Sequence, residues 1–253
     1  MENTTGKYIY CVIRKPKSFG LGLCGVGGGK VNLVSSQKLA VVASDSSVSE
    51  DYPITRENTV AHQRVIEEVM RVHSPVLPIS FGTVAENAGI LEEKMLTVKE
   101  DELLEALADI EGKVELNLKS IWLDMPKVFQ NVVQENPEIN RIKQEMSGRM
   151  LGRDEAIEVG KAVSAAVESR REKIKGEIFD LLKGIVIDHK ETQLLGEQMI
   201  FNLAFLIPES KQKTFDKIVR NLDEQYAKEN AYFKYIGPIP PFNFVRMPIS
   251  LTH

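Results

Sequence analysis

The longest uninterrupted pattern in this 253-residue chain runs from Asp154 to Leu182. Ile157, Gly160, Val163, Val167, Ile174, Ile178 and Leu181 recur there at three- and four-residue steps, close to a heptad seam. At 1.5 Å per residue the spacing predicts a helix roughly 40 Å long, more than a compact small domain needs. Such a helix either bends, with Gly176 the place for it, or lies along a second helix. Asp124 followed by Pro126 supplies a start for that partner over 124–146, since proline is tolerated in a first helical turn. The expectation is a helical hairpin (about 124–182), punctuated at Pro137 and turning at Gly148 and Gly152.

Strands flank this hairpin. Lys113–Leu123 alternates, with Val114, Leu116, Leu118 and Ser120 on one face and Glu115, Asn117 and Lys119 on the other. Ile185–His189 reads as a short strand and Met199–Ile207 as an apolar one. Pro208 opens a helix whose stripe is Phe215, Ile218, Val219, Leu222 and Tyr226, and Ala231–Ile236 is a last strand. The order β-α-β-β-α-β over 112–236 predicts a ferredoxin-like split βαβ domain, its first strand-to-helix link enlarged by the hairpin. Residues 237–253 begin with Gly237-Pro-Ile-Pro-Pro. Prolines favour extended backbone, so an ordered tail is expected to dock on a domain through Phe242 and Phe244.

The first 111 residues read differently. Lys7–Arg14, Val31–Ser36 and Leu39–Ser44 are β-type runs. Pro53 and Thr55 then open a helix with the stripe Ala61, Val65, Val69 and Val72, which Pro75 ends. Val76–Phe81 is a short apolar strand, Gly82-Thr83 a turn, and Val84–Leu96 and Leu103–Ile110 are helical. This is β-β-β-α-β with following helices, expected as one helical layer on a sheet. The fold class is therefore α+β with two domains, 1–111 and 112–236, and a docking tail.

Chemistry is harder to find. Gly20-Leu-Gly-Leu-Cys-Gly25 fits GxGxxG after a strand, but β-type runs follow it where a dinucleotide site needs a helix. Gly29-Lys30 continues with Val31, so it is no P-loop. A net charge of −4 from mixed signs argues against nucleic acid as a partner. The run Glu168–Lys173 reads as a solvated helix face. Cys11 and Cys24 make neither a disulfide framework nor a zinc site, and no apolar run is long enough to span a membrane. His62, His73, His189 and His253 are scattered, and the adjacent Asp188 and His189 point to opposite faces of a strand. No cofactor and no enzymatic activity are expected, and the chain is placed in the cytoplasm. Arg56, Glu57, His62, Phe81, Gly82 and Thr83 flank the helix–strand junction, where a partner protein could be read.

That junction also carries a family resemblance. Ala61-His62, Val65-Ile-Glu-Glu-Val69, Pro75-Val-Leu-Pro78 and Phe81-Gly-Thr83 resemble the gas vesicle protein family GvpL/GvpF. So do Tyr8-Ile-Tyr10, Leu39-Ala-Val-Val42, Asn202-Leu-Ala-Phe-Leu206 and the ending Gly237-Pro-Ile-Pro-Pro-Phe-Asn-Phe244. Gln63 stands where the family tends to have an acid, and Ser80 where it usually has arginine. The resemblance implies a non-enzymatic protein of gas vesicle formation with two α/β domains. It further implies a minor vesicle component or assembly factor that binds the small hydrophobic shell protein GvpA and other accessory proteins. From another class, the alternative is a ferredoxin-like small-molecule-binding or enzymatic protein with a site between its domains.

Overall fold

Strand β1 (Thr5–Arg14) has no exposed residue from Tyr8 to Ile13, so both of its faces must be covered. The structure, a computed structural model, describes residues 5–47, 52–145 and 152–245. It shows how both faces are met. β1 lies between β3 (Leu39–Ser47) on one side and β4 (Val76–Pro78) and β5 (Val84–Ala85) on the other, with β2 (Val31–Ser35) paired outside β3. All of these pairings are antiparallel.

One face of the sheet meets α1 (Arg56–His73), whose buried stripe is His62, Val65, Ile66 and Val69, at steps of three, one and three. Val72, expected in that stripe, is 61% exposed, one residue before the helix ends. The other face meets a second helical layer. It comprises the single turn α2 (Ala88–Ile90), the π-helical turn Leu91–Thr97 that continues it, and α3 (Glu100–Asp109). Leu91, Met95, Leu96, Leu103 and Leu107 pack there on Ile9, Val12, Leu39, Val41 and Leu77. Helix thus covers both faces, not one. The expected helix Val84–Leu96 also begins later. Val84 and Ala85 pair with Tyr8 and Lys7, and Asn87 caps the following turn through Ile90 N–H at 2.9 Å.

A second antiparallel arrangement follows, with strand order β7-β8-β6-β9, formed by β6 (Lys113–Trp122), β7 (Asp188–Glu191), β8 (Met199–Pro208) and β9 (Ala231–Ile239). Between β6 and β7 run α4 (Met125–Glu135), α5 (Pro137–Glu145) and α6 (Arg153–Leu182). Pro137 divides the hairpin's first arm into two helices. Gly148 lies outside the described residues, whereas α6 is continuous through Gly176 and packs on α4 and α5. Its buried residues are Val167, Ile174, Ile178 and Leu182. Leu181, placed in the seam by sequence, is 45% exposed. After α6, the amides of Ile185 and Val186 bond back to Leu182 O and finish the helix end, so β7 starts at Asp188 and not at Ile185. α7 (Gln212–Gln225) buries Phe215, Val219 and Leu222, and Phe205 meets Phe215 with ring centroids 5.6 Å apart.

The chain divides into two compact units. One is built from the N-terminal part through Glu115 together with the chain from Pro238 onward, and the other is Leu116–Gly237. In the first unit Pro240 and Pro241 are buried, Phe242 packs against the β1–α1 core, and Val245 packs on the opposite cluster. Glu115, expected on a polar face, is fully buried there, and its carboxylate accepts from the Asn243 backbone N–H at 2.8 Å and from Asn243 Nδ2. A buried carboxylate is tolerated when donors surround it, and the tail supplies two.

Candidate functional site: a closed polar network in the first unit

Six sequence-selected residues can be placed directly. Arg56 and Glu57 occupy the exposed first turn of α1, where Thr55 Oγ1 caps Asn58 N–H at 3.2 Å. A carboxylate suits that end of the helix dipole. His62, Phe81 and Gly82 meet elsewhere, around Tyr8, with Thr83 next in the chain. Arg56 and Glu57 are not part of that cluster.

The cluster forms on the α1 side of β1, a strand that carries a bulge. Its register against β3 slips between Ile9 and Cys11, so Tyr10 and Cys11 fall on the same side of the sheet. An extra residue in one strand turns the following side chains over. Tyr8 and Tyr10, two residues apart, share the face toward α1 by the strand's ordinary alternation, and their hydroxyls need partners inside the core. Tyr8 Oη lies 3.0 Å from His62 Nδ1 and accepts from Gly82 N–H at 3.0 Å. His62 Nε2 lies 3.0 Å from the carbonyl of Ile79. A carbonyl can only accept, so Nε2 carries the ring proton and Nδ1 accepts from Tyr8. Burial holds His62 down from its ordinary value near 6.5 to about 4, partly offset by the Ile79 carbonyl. Burial likewise pushes Tyr8 up to about 12. Both groups are neutral near pH 7.

Tyr10 does the same work one step along. Its hydroxyl is 2.9 Å from Ser44 Oγ and accepts from Val26 N–H at 2.9 Å. Val26 belongs to the glycine segment, so that segment is not simply a surface loop. Gly25 and Val26 are buried, and a Cβ on Gly25 would stand 1.8 Å from Tyr10 Oη. Gly27 and Gly28 have φ of 67° and 77°, which only glycine adopts without strain. The glycines form a tight turn under which a tyrosine is tied, with no phosphate cradle. Tyr52 closes the network, at 2.9 Å from Ser46 Oγ and edge-on to Tyr8 at 4.8 Å. Phe81 lies edge-on to His62 at 5.6 Å, and Thr83 Oγ1 donates to Ser80 O at 2.8 Å. Tyr8, Tyr10, Ser44 and Tyr52 were not selected from sequence. The available signal was two tyrosines in an otherwise apolar strand.

A second polar group sits in the other unit. The charge run expected as a solvated face instead ties elements together. Arg170, with its side chain only 13% exposed, donates from Nη1 to Glu135 at 2.9 Å and from Nε to Glu229 at 3.0 Å. Arg171 lies over the Trp122 ring at 5.4 Å. Tyr226 donates to Glu177, and its burial and that carboxylate both raise its pKa. Arg170, Glu135, Glu229, Glu177 and Tyr226 line a cavity of about 630 Å³ that also includes Val132, Pro137 and Ile174. His189 stacks edge-on against Phe179 at 4.5 Å, and Asp188 accepts from the backbone N–H of His189. Cys11 is buried and its thiol is pushed up by burial, while Cys24 is exposed. Among the described residues no group of three His, Cys, Asp or Glu is placed to hold a metal ion. Among them, too, no helix is long and apolar enough to cross a membrane.

Residues 6–246 match the family model described as "Gas vesicle synthesis protein GvpL/GvpF". The chain belongs to the GvpL/GvpF family. Gas vesicle protein F of Microcystis aeruginosa is 26% identical over 96% of this chain and 99% of its own length. Gas vesicle protein F1 of Halobacterium salinarum is 26% identical over 98% of this chain and 96% of its own. The crystal structure of GvpF from Anabaena sp. PCC7120 superposes with a TM-score of 0.85 at 25% identity, covering 96% of this chain and 99% of that one. GvpF from Microcystis aeruginosa gives 0.80 at 26% identity, over 96% and 100%. The mixed α+β architecture with two antiparallel sheets is thus that of GvpF structures. Membership of this family assigns the chain a gas vesicle function.

Proposed function

We propose that this GvpL/GvpF member is a minor structural component or assembly factor of gas vesicles that binds the apolar shell protein GvpA and nucleates or chaperones its assembly. The observation that carries this reading is the match to gas vesicle proteins along nearly the whole chain, residues 6–246. The site geometry supports it. The most elaborate polar network in the first unit is turned inward and closed on itself, so its hydroxyls and imidazole serve the fold. Of the residues expected to meet a partner, Arg56, Glu57 and Gly82 are exposed and available, whereas His62 is 4% exposed. We take 112–236 as the ferredoxin-like domain, with 1–111 as the N-terminal one. The strand order β7-β8-β6-β9 supports the first assignment, because a split βαβ places its first and third strands side by side at the centre. Other gas vesicle accessory proteins are further partners under this proposal.

The test is co-precipitation of purified GvpA with this chain, folding of the chain being checked by circular dichroism. Retention of GvpA is expected. A folded chain that retains none would overturn the reading.

A further inference from the structure

Strand β2 is the outermost strand on its side of the first sheet. Its hairpin with β3 closes with Ser36 N–H donating to Leu39 O at 2.9 Å, and the register pairs Val34 with Val41 and Asn32 with Ala43. In an antiparallel ladder, residues that exchange bonds with the partner alternate with residues whose backbone points away. Val31, Leu33 and Ser35 therefore direct their N–H and C=O groups outward. Val31 confirms the parity, because its N–H donates to Leu23 O at 3.0 Å, on the side away from β3. Beyond Val31 the glycine segment leaves the strand. A cavity of about 550 Å³ opens there between Phe19–Gly22 and Lys30–Leu33. Its apolar walls are Phe19, Leu21, Val31 and Leu33, and a Cβ at Gly20 or Gly22 would meet nothing within 4 Å.

Charge says what kind of strand fits. From Lys7 to Lys38 the chain carries Lys7, Arg14, Lys15, Lys17, Lys30 and Lys38 and no acid. Lys7, Arg14 and Lys38 are paired with Asp45, Glu111 and Glu100, and Lys15 donates to Ser36 O. Lys17 and Lys30 have no ion-pair partner among the described residues, and Lys30 lines the cavity. We infer that the β2 edge, with the slot beside Phe19–Gly22, takes up an extended segment of a different protein, apolar at alternate positions and flanked by carboxylates. Main-chain bonds to Leu33 and Ser35 supply the docking, the walls read the alternate side chains, and Lys30 and Lys17 meet the acidic flanks. The inference rests on the reading of this chain as a binder of another protein, and gives that binding a place.

Two variants test it. Ser35→Pro removes an outward N–H from an edge strand, a position where proline is tolerated, and Lys30→Glu reverses the rim charge. Two probes are used with the full chain: purified GvpA, and a synthetic peptide of alternating Val and Thr with Asp at both ends. Hydrogen–deuterium exchange should show Leu33 and Ser35 amides protected by a probe. Ser35→Pro should weaken binding about tenfold, and Lys30→Glu should weaken it and reduce its salt dependence. Binding of GvpA with unchanged affinity in Ser35→Pro would overturn the edge assignment while leaving the proposed function intact. If the wild-type chain binds no GvpA, the function reading falls, and the peptide decides the edge: protection at Leu33 and Ser35 upholds it, and no protection overturns it. A wild-type dimer abolished by Ser35→Pro would assign the edge to a second copy, against the inference.

Discussion

Acidification should act on the first unit through His62, and by a calculable amount. The ring is 4% exposed and neutral, donating to Ile79 O and accepting from Tyr8. To protonate it, Tyr8 must turn its hydroxyl hydrogen away from Nδ1 and surrender that contact. The unfolded chain has no such constraint and titrates near 6.5, whereas the folded ring is held to about 4. Between those values the unfolded state binds more protons, so stability rises with pH across the window. The contribution is complete above about pH 6.5, declines as pH falls, and is gone below about pH 4. At 1.36 kcal/mol per unit the whole span is worth about 3 kcal/mol, most of it lost by pH 4.5. Carboxylates elsewhere also respond to acid, so the comparison needs His62→Gln, which keeps a donor and an acceptor but cannot titrate. Urea unfolding of both proteins at pH 7 and pH 4.5 should show the wild type losing roughly 2–3 kcal/mol more than the variant. Nuclear magnetic resonance of the His62 ring gives the folded titration directly. A ring that titrates near 6.5, or equal acid losses in the two proteins, would refute the reasoning.

Gly25→Ala should cost roughly 2–4 kcal/mol in urea unfolding, because the new Cβ lands on Tyr10 and breaks its bonds to Val26 and Ser44. Gly20→Ala, with open space around it, should stay within about 0.5 kcal/mol. Asn243→Ala withdraws a side-chain donor from the buried Glu115 carboxylate and should cost about 1–3 kcal/mol, with faster proteolysis after Gly237 as the readout. Arg170→Ala should destabilise the second unit by about 1–2 kcal/mol, since the paired acids Glu135 and Glu229 are partly exposed and water takes up part of the loss. Trp122 fluorescence reports that unfolding, and high salt should shrink the difference between variant and wild type.

Periodicity carried most of the element order. Alternation marked β6, the apolar runs marked β1, β3 and β8, and the proline and cap signals marked the start of α1 and the break at Pro137. What periodicity could not carry was anything decided by a neighbour distant in sequence. Glu115 looked solvent-facing in an alternating strand, and its burial depends on Asn243, 128 residues away. Arg170 looked like helix surface for the same reason, since its partners lie on α4 and after α7. The helices over Val84–Leu96 and Leu103–Ile110 were legible, but not that they form a second layer on the first sheet; the strand Val84–Ala85 is too short to show a period. The junction near His62 was legible as a family signature. Its internal wiring was not, because Tyr8 and Tyr10 find their partners at His62, Gly82, Ser44 and Val26, far from them in sequence.

The return of Pro238–Val245 to the first unit has a consequence for how this protein is made. That unit is assembled from two stretches of chain separated by the whole of the other. A ribosome delivers the sheet and its helices first and the closing segment last, after more than a hundred intervening residues have emerged. Until then Glu115 waits for the Asn243 contacts, and the core beside Phe242 and Val245 is short of its outer wall. The intervening unit, continuous in sequence, is free to fold in the meantime. Completion of the first unit therefore waits until Pro238–Val245 has been made, after the whole of the other unit.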